Sequence, residues 1–200
     1  MSDSLSRRKL ARAAARMAVA RHNPLPPLVL MTDDARLPDP IAAARALPRG
    51  SMVIVRAGES AQRERLAAAM MAISRRRGLF VLIAGDAALA RTCGADGGHL
   101  PEARIGEAAS LRARHRFVVT AAAHSLSALR KSAWADAVLL SPVFPTASHP
   151  GRAALTPVRA ALIARAARVP VYALGGVGAA NAGRLSGFSG IAAVGALAVT

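Results

Sequence analysis

Short apolar runs alternate along the chain with longer alanine-rich segments studded with single arginines. The runs occupy 28–32 (LVLMT), 51–55 (SMVIV), 79–84 (LFVLIA), 97–100 (GGHL), 116–121 (RFVVTA), 137–143 (AVLLSPV), 169–176 (VPVYALGG) and 190–197 (GIAAVGAL). Most are apolar at consecutive positions, the pattern of strands covered on both faces in a parallel sheet. Between them lie helix-prone stretches such as 61–77, 125–134 and 157–168, with Ser125 and Thr156 placed to cap the last two. The alternation predicts an α/β domain, and eight strands are the number that closes a (β/α)8 TIM barrel. A doubly wound open sheet is the competing arrangement. Residues 4–21 predict an extra helix ahead of the first strand, and few residues follow the last one. The expectation is a single-domain barrel over 28–200, truncated at its C-terminal end and preceded by an N-terminal helix and lead-in over 1–27. No linker, internal repeat or low-complexity region interrupts it.

Composition narrows the class. The chain has 200 residues and is 53% hydrophobic, enough for a substantial core in one domain. It has no run of eighteen apolar residues, and its arginine-bearing N-terminus lacks an apolar signal core, so a soluble, unprocessed cytoplasmic protein is expected. Cys93 is the single cysteine, which excludes an internal disulfide and a multi-cysteine metal site; a small apolar role in a helix is expected of it. The formal net charge is +16, carried almost wholly by arginine, with lysine only at Lys9 and Lys131. The arginines are scattered and aromatic residues make up only 3%, so a base-stacking platform is not expected. A solvated basic surface is the simpler reading, with neither nucleic acid nor membrane as partner. What remains for so positive a chain is an anionic substrate.

Polar and glycine residues gather where the strands end, at Asp33, Arg56, Gly85, His124, Ser141, Gly175 and Gly195. That end of a barrel carries the chemistry, because the loops after the strands converge there. Gly175 and Gly176 after strand seven, with Gly195 and Ala196 after strand eight, can bring backbone N–H groups to an anion; alternatively the glycines only permit tight turns. Asp33 and Asp34 either receive an arginine or make a turn. His99 is expected to point into the barrel or cap its strand, His22 and His115 to be solvated, and Trp134 to pack against the body from the helix before strand six.

The motifs "SPVFPTASH" (141–149), "GADGGHLPE" (94–102), "AAHSLSAL" (122–129) and "VYALGGVGAAN" (171–181) closely resemble stretches of the thiamine phosphate synthase and TenI-type thiazole tautomerase family. The resemblance runs in the same order from about Leu28 to Ala196. It implies a small barrel that holds a phosphorylated thiazole by its phosphate between the loops after strands seven and eight. Synthase members join a pyrimidine methyl diphosphate to the thiazole phosphate and expel diphosphate with magnesium. Tautomerase members isomerise a thiazole carboxylate phosphate by proton transfer.

Departures from the synthase pattern separate the two. Where synthases carry Asn-Asp after strand three, this chain has Ala84 and Gly85, with Asp86 one place late; the later aspartate is replaced by Arg104. The lysine after PVFPT is His149, and the Gln and Lys flanking the strand-two arginine are Ile54 and Gly58, leaving Arg56. No cofactor is expected, and Mg²⁺ only if Asp86 and Glu102 form a displaced site. His124 falls where tautomerases place a proton-carrying histidine, although synthases have similar histidines, so capping or loop packing is its alternative. Histidine suits the task because it both takes and returns a proton near neutral pH. Ser141 and Thr146 are candidates to orient a carboxylate or ring nitrogen, and His149 is the second candidate proton carrier. A metal-independent tautomerase is favoured over the synthase, with a non-catalytic binder of a thiamine precursor as the third reading. The sequence leaves homo-oligomer formation open.

Overall fold

The structure is a computed structural model that describes residues 2–113, 116–146 and 154–199. His115 and His149 lie outside the described residues. The helix α1 (Ser2–Arg21) leads into eight parallel strands, β1 (Leu28–Met31), β2 (Met52–Val55), β3 (Phe80–Ala84), β4 (Gly97–Leu100), β5 (Val118–Ala123), β6 (Ala137–Leu140), β7 (Val171–Ala173) and β8 (Gly190–Ala193). They pair in sequence order, and β8 pairs with β1 (Val29 opposite Ala192), which closes the barrel and excludes the open sheet. Every residue of β1, β2, β6 and β8 is buried, which is why these runs are apolar without alternation.

The helices outside the sheet are α2 (Pro40–Arg45), α3 (Ser60–Arg77), α4 (Ala87–Thr92), α5 (Ala108–Arg112), α6 (Leu126–Lys131) and α7 (Pro157–Arg165), with a 3₁₀ helix (Glu102–Glu107) before α5. Both expected caps form: Ser125 Oγ accepts from the Ala128 N–H at 3.1 Å, and Thr156 Oγ1 from that of Arg159 at 3.4 Å. Trp134 corrects the expectation of packing. Helix α6 ends at Lys131, so Trp134 sits in the turn beyond it, 63% exposed. Cys93 is the half-buried C-cap residue of α4.

Among the described residues, β7 and β8 are followed by 3₁₀ turns rather than α-helices, Ala182–Arg184 and Gly195–Leu197. Helix α1 packs on β8, β1 and both turns, and so covers the outer face that these turns leave bare. Leu10 and Ala14 are the fully buried side chains of that contact, and Arg7 Nη1 donates to the Ala198 carbonyl at 3.0 Å. The lead-in is tied to the opposite end of the barrel from the strand-end loops. Tyr172 Oη donates to the Pro26 carbonyl at 2.9 Å and accepts from Asn23 Nδ2 at 2.7 Å. Burial pushes the Tyr172 phenol up to about 12, against the pull of the Asn23 hydrogen bond. Among the described residues no helix is long and apolar enough to cross a membrane.

Candidate active site

The carboxyl ends of the strands open onto a cavity of about 370 Å³, within the range of small-ligand sites. Of the residues singled out in the sequence, Arg56, Ala84, Gly85, Glu102, His124, Ser141, Thr146 and Gly175 line it, and His99 lies on its wall. Gly176, Gly195 and Ala196 stand at its edge without lining it, exposed.

His124 follows β5 and precedes the Ser125 cap of α6, so a strand end and a helix start fix its backbone. Its N–H donates to Glu102 Oε2 at 2.6 Å. Its ring Nδ1 lies 2.9 Å from the Ser141 carbonyl oxygen and 3.1 Å from Ser141 Oγ. A carbonyl only accepts, so this contact assigns the proton to Nδ1 and leaves the lone pair on Nε2. Among the described residues nothing is hydrogen-bonded to Nε2. The ring is therefore held from behind by the loop after β6, with its basic nitrogen uncommitted. Capping of α6 falls to Ser125 instead.

Arg56 is set by Thr32, whose buried hydroxyl both donates to the Arg56 carbonyl and accepts from its N–H, at 2.7 Å each. Its guanidinium pairs with Asp33, which also takes Arg36 through Nε at 3.1 Å and Nη2 at 2.6 Å. The hydrogen bond from Arg36 pulls the Asp33 carboxyl down to about 2; burial opposes this, and the Arg36 and Arg56 charges add to it. Asp33 thus receives two arginines. Asp34 accepts from the Gly58 N–H at 2.9 Å and joins the loop after β1 to that after β2. His99 is buried with Nδ1 2.9 Å from Thr120 Oγ1. Burial, with the Arg56 charge behind it, holds its imidazole down at about 4, so it is neutral at physiological pH.

The glycine corner has a packing reason of its own. Gly175 has φ +89°, and a Cβ there would lie 2.8 Å from Pro142 Cα; at Gly176 (φ +64°) it would fall on the Pro145 carbonyl oxygen. Both glycines let the PVFPT loop lie against the end of β7, which their use in a turn alone does not require. Among the described residues the N–H groups of Gly175, Gly176, Gly195 and Ala196 have no hydrogen-bond partner. Two neighbouring loops therefore present free donors at one rim of the cavity, an arrangement that suits a phosphate.

The carboxylates considered for magnesium have other partners. Asp86 caps α4, accepting from the Leu89 N–H at 2.8 Å, and does not line the cavity. Glu102 is engaged by the His124 N–H. Arg104 grips Glu107 through Nε and Nη2 at 2.7 Å each and donates to the Gly85 carbonyl at 2.8 Å, which puts a fixed positive charge beside the end of β3. Among the described residues no three His, Cys, Asp or Glu side chains are grouped to hold a metal. Near-octahedral oxygen ligation of the kind Mg²⁺ requires is not assembled from Asp86 and Glu102 by side chains among the described residues.

Among the described residues, Arg36 and Arg63 line the cavity without a signal in the sequence, and Glu102, considered there for magnesium, accepts instead from the His124 N–H. One arginine among so many does not stand out. Their common cue is position, each lying in the loop or helix start that follows a strand.

A family model described as thiamine monophosphate synthase matches residues 28–197. The thiamine-phosphate synthase of Thiobacillus denitrificans is 36% identical over 137 residues, 65% of this chain and 64% of that protein. That of Chromobacterium violaceum is 33% identical over 175 residues, covering 82% and 83%. A solved structure, a thiamine phosphate pyrophosphorylase from Pyrococcus furiosus, superposes with a TM-score of 0.68 at 21% identity over 87% of each chain, a likeness of fold. From the first strand of the barrel to the turn after the last, this chain belongs to the thiamine monophosphate synthase family.

Proposed function

We propose that the protein isomerises a thiazole carboxylate phosphate by proton transfer at His124, without a metal. The observation that carries this reading is the His124 ring, turned by the Ser141 carbonyl so that Nδ1 bears the proton. In the reaction Nε2 takes a proton from a carbon of the ligand, and the electron pair moves into the conjugated ring. The same nitrogen then returns the proton to a second carbon. One C–H bond breaks and another forms, so no co-reactant is consumed. While the ring is an imidazolium, its Nδ1–H stays on the Ser141 carbonyl, which stabilises the positive charge. The N–H groups of Gly175, Gly176, Gly195 and Ala196 hold the phosphate, and Thr146 with Ser141 faces the ring. Asp86 and Glu102, committed to backbone N–H groups, supply no magnesium site.

A second reading, synthesis of thiamine phosphate, is favoured by the names of the relatives and by the retained Arg56. Incubation with each thiazole phosphate isomer separates the two. Isomerisation at His124 requires interconversion in EDTA, indifferent to the pyrimidine diphosphate. Thiamine phosphate formed only when magnesium and the pyrimidine diphosphate are both present would establish the synthase. A ligand-induced rise in Tm with neither product would identify a binder.

A further inference from the structure

Among the described residues three arginines line the cavity on its β1–β2 side, and Asp33 accounts for two of them, Arg36 and Arg56. The third, Arg63, stands in the first turn of α3. Its backbone N–H donates to the Glu59 carbonyl at 3.0 Å, but its guanidinium joins no hydrogen bond or ion pair among the described residues, and its Nε is buried without a partner. Glu59 stands four residues before it, a spacing that commonly pairs on a helix, yet no such pair forms. A buried donor left unmatched costs about 1–3 kcal/mol, and native chains rarely keep one unless a ligand or water meets it. The first turn is also the positive end of the helix dipole, where a cation is disfavoured. Arg63 is thus held, against two penalties, at the wall of the ligand cavity.

We infer that Arg63 is the contact for a second anionic group of the ligand, away from the phosphate corner at β7 and β8. The inference rests on the proposed phosphorylated thiazole, and the second anion is its ring carboxylate. The unpaired guanidinium on the cavity wall points to this chemistry. A carboxylate matches a guanidinium through two parallel N–H···O bonds, as Glu107 does on Arg104 with two bonds of 2.7 Å; with Nε of Arg63 buried, its terminal nitrogens are the donors left for such a group. Arg36 and Arg56 are less free to turn, being bound to Asp33. A ligand bearing one anion fills the glycine corner and leaves Arg63 unmatched; a ligand bearing two satisfies both ends.

Calorimetry with two probes tests the assignment: the thiazole phosphate with the ring carboxylate and the same compound without it. The wild type is expected to bind the carboxylate about 10–100-fold more tightly, the usual worth of a charge-assisted pair. Arg63→Gln should erase that preference while leaving the affinity for the plain thiazole phosphate within about twofold, which also reports an intact fold; Arg63→Lys should keep part of the preference. Absence of a preference in the wild type, its survival in Arg63→Gln, or equal loss of both affinities in that variant would overturn the assignment. Turnover is read separately. An Arg63-dependent preference without isomerisation upholds this contact and removes the proton-transfer reading; isomerisation without the preference does the reverse.

Discussion

At the scale of single residues, His99 gives the fold a pH signature. Its imidazole is held at about 4 against an ordinary 6.5, so between those values the unfolded chain binds the proton that the folded chain refuses. Stability is complete above pH 6.5 and falls as the pH drops towards 4, by on the order of 3 kcal/mol in all. Urea titrations from pH 7 to 4.5 should show this slope, and His99→Asn should flatten it; an unchanged slope in the variant would assign the proton elsewhere. Residues of the site are legible in the sequence where they end a strand. Arg56, His124 and Ser141 stand out because the apolar run before each stops abruptly. Arg63 does not, because its meaning lies in a missing partner, which no one-dimensional pattern records. The roles of Asp86 and Glu102 are hidden for a related reason: an acid near a strand end reads as a ligand until the backbone N–H it serves is located.

At the scale of elements, runs of consecutive apolar residues mark most of the strands, since burial on both faces leaves little freedom for polar side chains, and β4 (GGHL) is the exception that buries a histidine. The short helices α2, α4 and α5 are not legible, because five or six residues do not establish a helical period. Their N-terminal signals are local: Asp39 and Asp86 cap α2 and α4 through Ala42 and Leu89. Helix α1 reads in the sequence as an addition, whereas its contacts make it part of the barrel wall. Leu10 is fully buried there and Val19 is 78% exposed on the same helix. Leu10→Ala should therefore lower the unfolding free energy by about 2–5 kcal/mol. Val19→Ala should stay within about 0.5 kcal/mol. Equal effects in denaturant titrations would contradict the docking of α1.

At the scale of the whole molecule, strand count and order suffice to expect closure, because eight parallel strands covered on both sides have few other solutions. The charge of +16 is dispersed, yet the ligand cavity concentrates three arginines against Glu102 and faces free N–H donors at its other rim. An anion with a reactive carbon between two charged ends suits that field. Proton transfer at that carbon falls to His124, and the most direct test is its replacement. Isomerisation of the thiazole carboxylate phosphate is followed by NMR in EDTA for the wild type and for His124→Gln, with binding monitored by thermal shift. If His124 carries the proton, the variant keeps the ligand-induced shift in Tm and its turnover falls by about 10²–10⁴. Turnover within a few-fold of the wild type in His124→Gln would contradict that role.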